Sequence, residues 1–284
     1  MSATTEGSDS SSRRDSKGLT PALALDRSGN GPALVLLHPL GADRRVWAPV
    51  TELLAGEREV IAVDLPGFGE SPPLEGPGEP SPAALARAVD EGLDALGVRE
   101  YDVAGNSLGG WVALELALAG RARSVVAIGP AGLWPEPLAP RRGSARAAAR
   151  LVLPVVGLLT RVPAFKRFLL AMFVAHPERV PASAARDLVR AYARAPGFPE
   201  VNAAMRSRTF SGLERIPVPV TLAWPEHDRM VARPRRLPEG VRLEILDGCG
   251  HLPTWDDPHQ VADLLLTRTL GTAAGLSPSR GTAR

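Results

Sequence analysis

Val103-Ala104-Gly105-Asn106-Ser107-Leu108-Gly109-Gly110 joins a short apolar run to a longer run with helical spacing. The first half predicts a strand and the second a helix, so Ser107 falls on the turn between them, inside Gly-x-Ser-x-Gly. A serine held on so sharp a turn exposes its Oγ and aims it at a substrate carbonyl. Gly105 and Gly109 lack a Cβ, which lets strand and helix approach where larger side chains would clash. Five residues are few enough to match by chance. The weight of the motif therefore comes from its context: a base, an acid and an oxyanion donor in a workable order.

Outward from this stretch, strand and helix alternate. Leu23-Ala24-Leu25 and the run 33–37 flank Ser28-Gly29-Asn30-Gly31-Pro32, which predicts a hairpin with a short turn. A helix is expected over 46–54, stopping at Gly56, and a buried strand over 59–63 ending at Asp64. Ser81 and Pro82 read as N-cap and first helical residue of the next helix, with Leu85, Val89, Leu93 and Leu96 at helical spacing and Gly97 as its stop. A strand over 101–104 enters the turn at Ser107, a helix over 108–119 leaves it, and 124–128 is a further strand. Single helices between strands at this spacing imply a parallel sheet covered on both faces.

The alternation stops near Leu133. From 133 to 208 the sequence shows only Ala/Arg/Leu-rich helical segments cut by prolines. It resumes with a strand over 218–223, a short helix near Pro234, a strand over 241–246 and a helix over 258–270 closed by Gly271. The reading is a core of 19–132 and 209–271 with a helical cap, 133–208, inserted between the halves of one sheet. Such an insert can cover a site at the carboxyl ends of the strands. Residues 1–18 and 272–284 read as polar, disordered tails.

Composition narrows the classes. Of 284 residues, 44 % are hydrophobic and 23 % charged, enough for a sizeable core in a soluble protein. The net charge is only +2, and the basic residues, nearly all arginine, are scattered among acids with a modest excess between Arg141 and Arg208, which argues against a nucleic-acid partner. The single cysteine, Cys249, excludes an intrachain disulfide, and the histidines show no zinc-ligand spacing. Residues 1–17 have no apolar core, so they are not a secretory signal. The longest apolar run, 151–159, falls far short of the roughly twenty residues of a membrane span. A cytoplasmic protein without a membrane span, metal or cofactor is expected; oligomeric state is open.

Ser107 needs a base, because a serine hydroxyl is barely ionised at neutral pH. His251 lies in Asp247-Gly248-Cys249-Gly250-His251-Leu252-Pro253, directly after the last strand and so at the same sheet end. Asp228, in Trp224-Pro225-Glu226-His227-Asp228, could accept the Nδ1–H of His251 and stabilise the imidazolium. Glu226 and Glu136 are the other candidates for that acid. His38-Pro39-Leu40-Gly41 follows the first fully buried strand. Pro39 has no N–H, so the backbone N–H groups of Leu40 and Leu108 are the expected oxyanion donors. His38 reads as a scaffold residue of that loop and Asp64 as a loop anchor. His227 and Cys249 are adequately explained by packing.

Taken together, Gly105-Asn106-Ser107-Leu108-Gly109, His38-Pro39-Leu40-Gly41, Asp64-Leu65-Pro66-Gly67-Phe68-Gly69, Asp228 and Gly248-Cys249-Gly250-His251 resemble the α/β-hydrolase superfamily over about residues 20–271. The chain order Ser…Asp…His is the one that fold uses. The resemblance implies an α/β fold with an eight-stranded, mostly parallel sheet, a helical cap and cofactor-free hydrolysis. Two departures stand out: Pro39 and Pro225 occupy positions where family members commonly carry glycine. Neither removes a needed group, although the second bears on how Asp228 is held.

The resulting expectation is a serine hydrolase acting on a small-molecule acyl substrate, an ester first of all, with Ser107, His251 and Asp228 as catalytic residues. A serine at the turn argues against haloalkane dehalogenases and epoxide hydrolases, which resemble this fold but use aspartate there. Asn106 is similar to the carbon–carbon bond hydrolases of ring cleavage, though Gly41-Ala42-Asp43-Arg44-Arg45 does not match their longer oxyanion loop. A ligand-binding protein on a hydrolase scaffold is the reading from another class. The apolar residues of 151–173, Leu151, Leu158 and Phe168 among them, are expected either to line an acyl pocket or to form the cap's own core.

Overall fold

The run Ala33–Leu37 is apolar and buried at every position, as a strand covered on both faces must be, and it lies near the middle of the sheet. The computed structural model describes residues 23–140 and 144–269. Its seven strands are β1 (Leu25–Ser28), β2 (Ala33–Leu37), β3 (Glu59–Val63), β4 (Asp102–Asn106), β5 (Val125–Ile128), β6 (Val220–Pro225) and β7 (Arg242–Leu246), in spatial order β1-β3-β2-β4-β5-β6-β7. β1 alone is antiparallel; every other pairing is parallel.

Alternate residues of the strands feed two cores. Val35, Leu37, Val63, Val103 and Ala127 pack against α2 (Pro82–Ala95) and α3 (Leu108–Leu118). Leu34, Leu36, Val60, Ala104 and Ile128 pack against α1 (Ala48–Leu54) and, through Val261 and Leu265, the C-terminal helix at Pro258–Arg268. The Ser81 hydroxyl accepts the Ala84 N–H (3.3 Å) and caps α2 as its sequence predicts. At the amino ends of the strands, a buried ion pair joins Arg58 to Asp102, whose other oxygen accepts from the Ser124 hydroxyl (2.8 Å). That cluster pins β3, β4 and β5 at the edge away from Ser107.

Three expectations are corrected. β1 does not form a hairpin with β2; it pairs with β3, which lies between them. The turn carries the chain across the start of β3, where the Glu59 N–H bonds to the Pro32 carbonyl (3.3 Å) and glycines fit against the backbone of Ala55 and Arg58. The described residues make seven strands where the resemblance implies eight. No helix forms near Pro234. Arg233, Arg235 and Arg236 crowd like charges there, and Pro234 and Pro238 interrupt the stretch with no apolar face to bury.

Between β5 and β6 the described residues contain no strand. They form α4 (Ser144–Val152), α5 (Val156–Leu159), α6 (Pro163–Leu170), α7 (Ala182–Arg194) and α8 (Phe198–Arg206). After β7 come α9 (Pro253–Asp256) and α10 (Pro258–Arg268). The expected tails, 1–18 and 272–284, and the helix stop at Gly271 lie outside the described residues.

Candidate active site

Ser107 has φ 55° and ψ −112°, the single non-glycine residue with positive φ among those described. Holding a side chain in that sparsely populated region costs on the order of 1–3 kcal/mol, so the surroundings must enforce it. They do so from both sides. The Ser107 N–H donates to the Ile128 carbonyl (2.9 Å) and the Ser107 carbonyl accepts from Ala131 N–H (3.0 Å), which ties the turn to the end of β5. A β-carbon on Gly105 would collide with the Gly109 carbonyl, and one on Gly109 with the Leu37 carbonyl. The close approach that these glycines were expected to serve is therefore real. Asn106 is buried, and its amide donates to the Ile128 carbonyl (3.0 Å), so it faces the fold.

His251 and Asp228 are brought together. Asp228 Oδ2 lies 2.8 Å from His251 Nδ1, and both side chains are almost wholly buried. The other carboxylate oxygen accepts the N–H groups of Met230 (2.7 Å) and Val231 (3.0 Å). Gly129, the residue after β5, sits against this pair: a β-carbon there would come 2.9 Å from Asp228 Oδ2 and 3.8 Å from His251 Nδ1. Because β5 also anchors Ser107, serine, histidine and aspartate share the carboxyl end of the sheet. Pro225 at the end of β6 accepts the Asp228 N–H (3.2 Å), so this departure from glycine leaves the acid in reach of His251. Glu226 is turned away, exposed, with its carboxylate on the Gly248 N–H (2.8 Å), and Glu136 is exposed.

Leu40, expected from the sequence to be an oxyanion donor, sits in a tight turn. The Ala42 N–H closes it onto the Pro39 carbonyl (3.1 Å), and Gly41 takes the left-handed conformation, φ 79°, that the third residue of a type II turn requires. Leu40 is the first residue in it that still has an N–H. Leu108 opens α3, so its N–H is one of those that helix geometry leaves without an intrahelical acceptor. His38 is fully buried behind this turn. Its Nε2 accepts the Leu65 N–H (2.9 Å), which leaves the proton on Nδ1 to donate to the Pro39 carbonyl (2.9 Å). Asp64 accepts from the backbone N–H groups of Arg44 (2.7 Å) and Glu70 (2.9 Å) and from the Arg44 guanidinium. Scaffold and anchor are the roles these contacts describe.

Burial pushes the His38 imidazolium below its ordinary value of 6.5. The unfolded chain binds a proton at that value and the folded one does not, so folding in acid must expel it. The stability His38 contributes is therefore complete above about pH 6.5 and falls as pH drops from there toward the lowered folded value. His38→Asn should flatten the acid limb of a urea-midpoint profile, whose slope for one such group approaches about 1.4 kcal/mol per pH unit. Parallel limbs for the two proteins would contradict this. Burial also pushes the Cys249 thiol up to about 12, so it is no nucleophile.

The helical insert closes over all of these loops. A β-carbon on Gly41 would lie 2.8 Å from the Tyr192 ring, and Gly197 N–H donates to the Gly67 carbonyl (2.9 Å). Gly250 lies flat beneath Val174 and Ala175, and Leu252 N–H donates to the Phe173 carbonyl (2.7 Å). One residue that sequence reasoning missed organises this contact. Buried Asp256 accepts the N–H groups of Ala175 (3.0 Å), His176 (2.7 Å) and Gly250 (2.7 Å), joining the insert to the loop of His251. Two of its three partners lie some 80 residues upstream, so no local spacing marks it. Among the described residues no cluster of His, Cys, Asp and Glu could hold a metal ion, and no helix is long and apolar enough to cross a membrane.

A sequence model described as the alpha/beta hydrolase family matches residues 34–264. The epoxide hydrolase EphH of Mycobacterium tuberculosis (strain ATCC 25618 / H37Rv) is 34% identical over 202 residues, 65% of this chain and 93% of its own. The 2-succinyl-6-hydroxy-2,4-cyclohexadiene-1-carboxylate synthase of Yersinia pseudotuberculosis is 43% identical over 91 residues, 32% of each chain. Among solved structures, a membrane phospholipase A called a bacterial virulence factor is similar with a TM-score of 0.67 at 28% identity, over 86% of this chain and 81% of that one. An esterase from Thermogutta terrifontis shares the fold, with a TM-score of 0.65 at 23% identity over 86% and 92%.

Proposed function

This chain belongs to the alpha/beta hydrolase family, and from that membership we propose that it is a serine hydrolase cleaving a small-molecule carboxylic ester, or a closely related acyl compound, through an acyl-enzyme on Ser107. The observation that carries the reading is the strained serine at the strand-to-helix turn, φ 55°, at the sheet end that also holds the His251–Asp228 pair. In this reading Ser107 Oγ attacks the carbonyl carbon while its proton passes to His251 Nε2. Asp228 accepts the Nδ1–H and stabilises the imidazolium. The Leu40 and Leu108 N–H groups hold the oxyanion. Collapse expels the alcohol with the proton from His251, and water activated by the same imidazole releases the acid. Residues 133–208 are the cap over this site, and 19–132 with 209–271 are the core.

The nucleophile's chemistry separates this from epoxide opening, the activity in the name of the mycobacterial relative. A serine that opened an epoxide would end as an alkyl ether, with no carbonyl for water to attack. A carboxylate in its place would leave a hydrolysable ester. The feature that favours carbon–carbon cleavage is Asn106, which is buried and donates to the Ile128 carbonyl.

The test is covalent labelling by a fluorophosphonate probe, followed by turnover of p-nitrophenyl acetate, butyrate and longer esters. Labelling confined to Ser107, with turnover of at least one ester, is expected. Folded protein that neither labels nor turns over any ester would overturn the proposal and favour a non-catalytic binding role.

A further inference from the structure

From residue 137 to residue 177 the sequence holds seven basic residues and not one acid. Within this stretch α4, α5 and α6 form a row along α7. Arg150 Nε donates to the Ala193 carbonyl (3.0 Å) near the end of α7. Gly157 faces the Arg186 side chain, where a β-carbon would lie 3.6 Å from Cδ. Lys166 Nζ donates to the Val180 carbonyl (2.6 Å) just before α7 begins. With α7 behind the row, side chains on its far side are left largely uncovered by the described residues.

Those side chains are apolar. Leu151 is 81%, Leu158 66% and Phe168 79% exposed, and Val155 and Met172 are half exposed. The sequence-based expectation that this set would line a pocket or fill the insert's own core is corrected here: Val156 and Leu170 are buried, and these five are not. Exposed sets of this size mark binding surfaces on soluble proteins. Arg161 and Arg167 lie among them, exposed, and their guanidinium groups have no ion-pair or hydrogen-bond partner among the described residues.

We propose that this face docks the protein on an anionic lipid surface, with Leu151, Leu158 and Phe168 entering the headgroup boundary and Arg161 and Arg167 meeting lipid phosphates. Aliphatic and aromatic side chains flanked by unpaired cations are what such a surface binds. A second copy of this chain fits less well, because a two-fold contact would bring two Arg161 and two Arg167 into one interface to which residues 137–177 contribute no acid. The face also leads to the site. Ala171 O accepts from the Arg229 guanidinium (2.7 Å) beside Asp228, and Phe173 O from Leu252 N–H (2.7 Å) beside His251. The proposal goes beyond the ester reading and does not depend on it.

The test is sedimentation of the full chain carrying Ser107→Ala, which leaves lipid esters intact, with vesicles of phosphatidylcholine containing roughly 30 mol % phosphatidylglycerol. Binding is expected, at least about tenfold weaker to pure phosphatidylcholine and weakened by raising salt from about 0.1 to about 0.5 M. Adding Leu158→Ser and Phe168→Ser should cost on the order of tenfold or more. Adding Arg161→Gln and Arg167→Gln should cost about fivefold for each arginine. All four sites are exposed, so thermal midpoints should stay at the parent value. Three results would each overturn the proposal: no binding to anionic vesicles, binding unchanged in either double variant, or a dimer by light scattering that Leu158→Ser and Phe168→Ser dissolve.

Discussion

Ser107→Ala should lower kcat for p-nitrophenyl butyrate on the order of 10⁴- to 10⁶-fold while the protein stays folded. In the proposed mechanism the hydroxyl is the atom that forms the acyl bond. Its loss leaves only the oxyanion donors and the binding surface, which in serine hydrolases of this design retain a small rate above that of water. Stability separates this result from a folding defect. Alanine keeps a β-carbon at φ 55°, so the strain of the turn persists and the thermal midpoint should hardly move. Ser107→Gly removes the β-carbon, so it should be inactive yet more stable by about 1 kcal/mol. Kinetics and melting curves of the three proteins decide the matter. Activity of either variant within tenfold of wild type would remove Ser107 from the mechanism, and a Ser107→Gly protein no more stable than Ser107→Ala would contradict the strain argument.

The turn at Ser107 was legible because its sequence signals are local: an apolar run, two glycines that permit close approach, and a helix start within eight residues; the bonds to Ile128 and Ala131 that hold it were not. The same holds for the Ser81 cap and for the strands 33–37 and 59–63, each of which the structure returns within a residue or two. What failed was non-local. Leu25–Ser28 and Ala33–Leu37 look like hairpin partners in sequence, yet whether another strand enters between them is decided by the path of the intervening turn over Ala55–Arg58. The apolar residues of the insert failed for a related reason. Leu158 and Val156 are neighbours of the same character, and only the position of α7 makes one exposed and the other buried. Asp256 was invisible because its partners lie some 80 residues upstream as well as in the adjacent loop. The acid of the site lay between these cases. Order of elements favoured Asp228 over Glu226 and Glu136, but only the 2.8 Å contact with His251 separates them physically.

That contact leads to the second large effect, Asp228→Asn, expected to lower kcat by about 10⁴-fold with little change in KM. The argument turns on which way the new amide must face. Oδ1 of Asp228 accepts two backbone N–H groups, from Met230 and Val231, so the one oxygen left in asparagine has to stay there. The amide NH₂ then occupies the place of Oδ2 and presents hydrogens to His251 Nδ1. Nδ1 can meet them only as an acceptor, which moves the imidazole proton to Nε2 and leaves no lone pair to take the proton from Ser107. The packing is untouched, so the variant should melt near wild type, and the loss should appear in kcat because binding does not use this group. Glu226→Gln supplies the contrast. Its carboxylate bonds an exposed loop N–H at Gly248, so its kcat should stay within about threefold of wild type. If Asp228→Asn kept a tenth of the activity, or if Glu226→Gln fell as far, the assignment of the acid would pass to another residue.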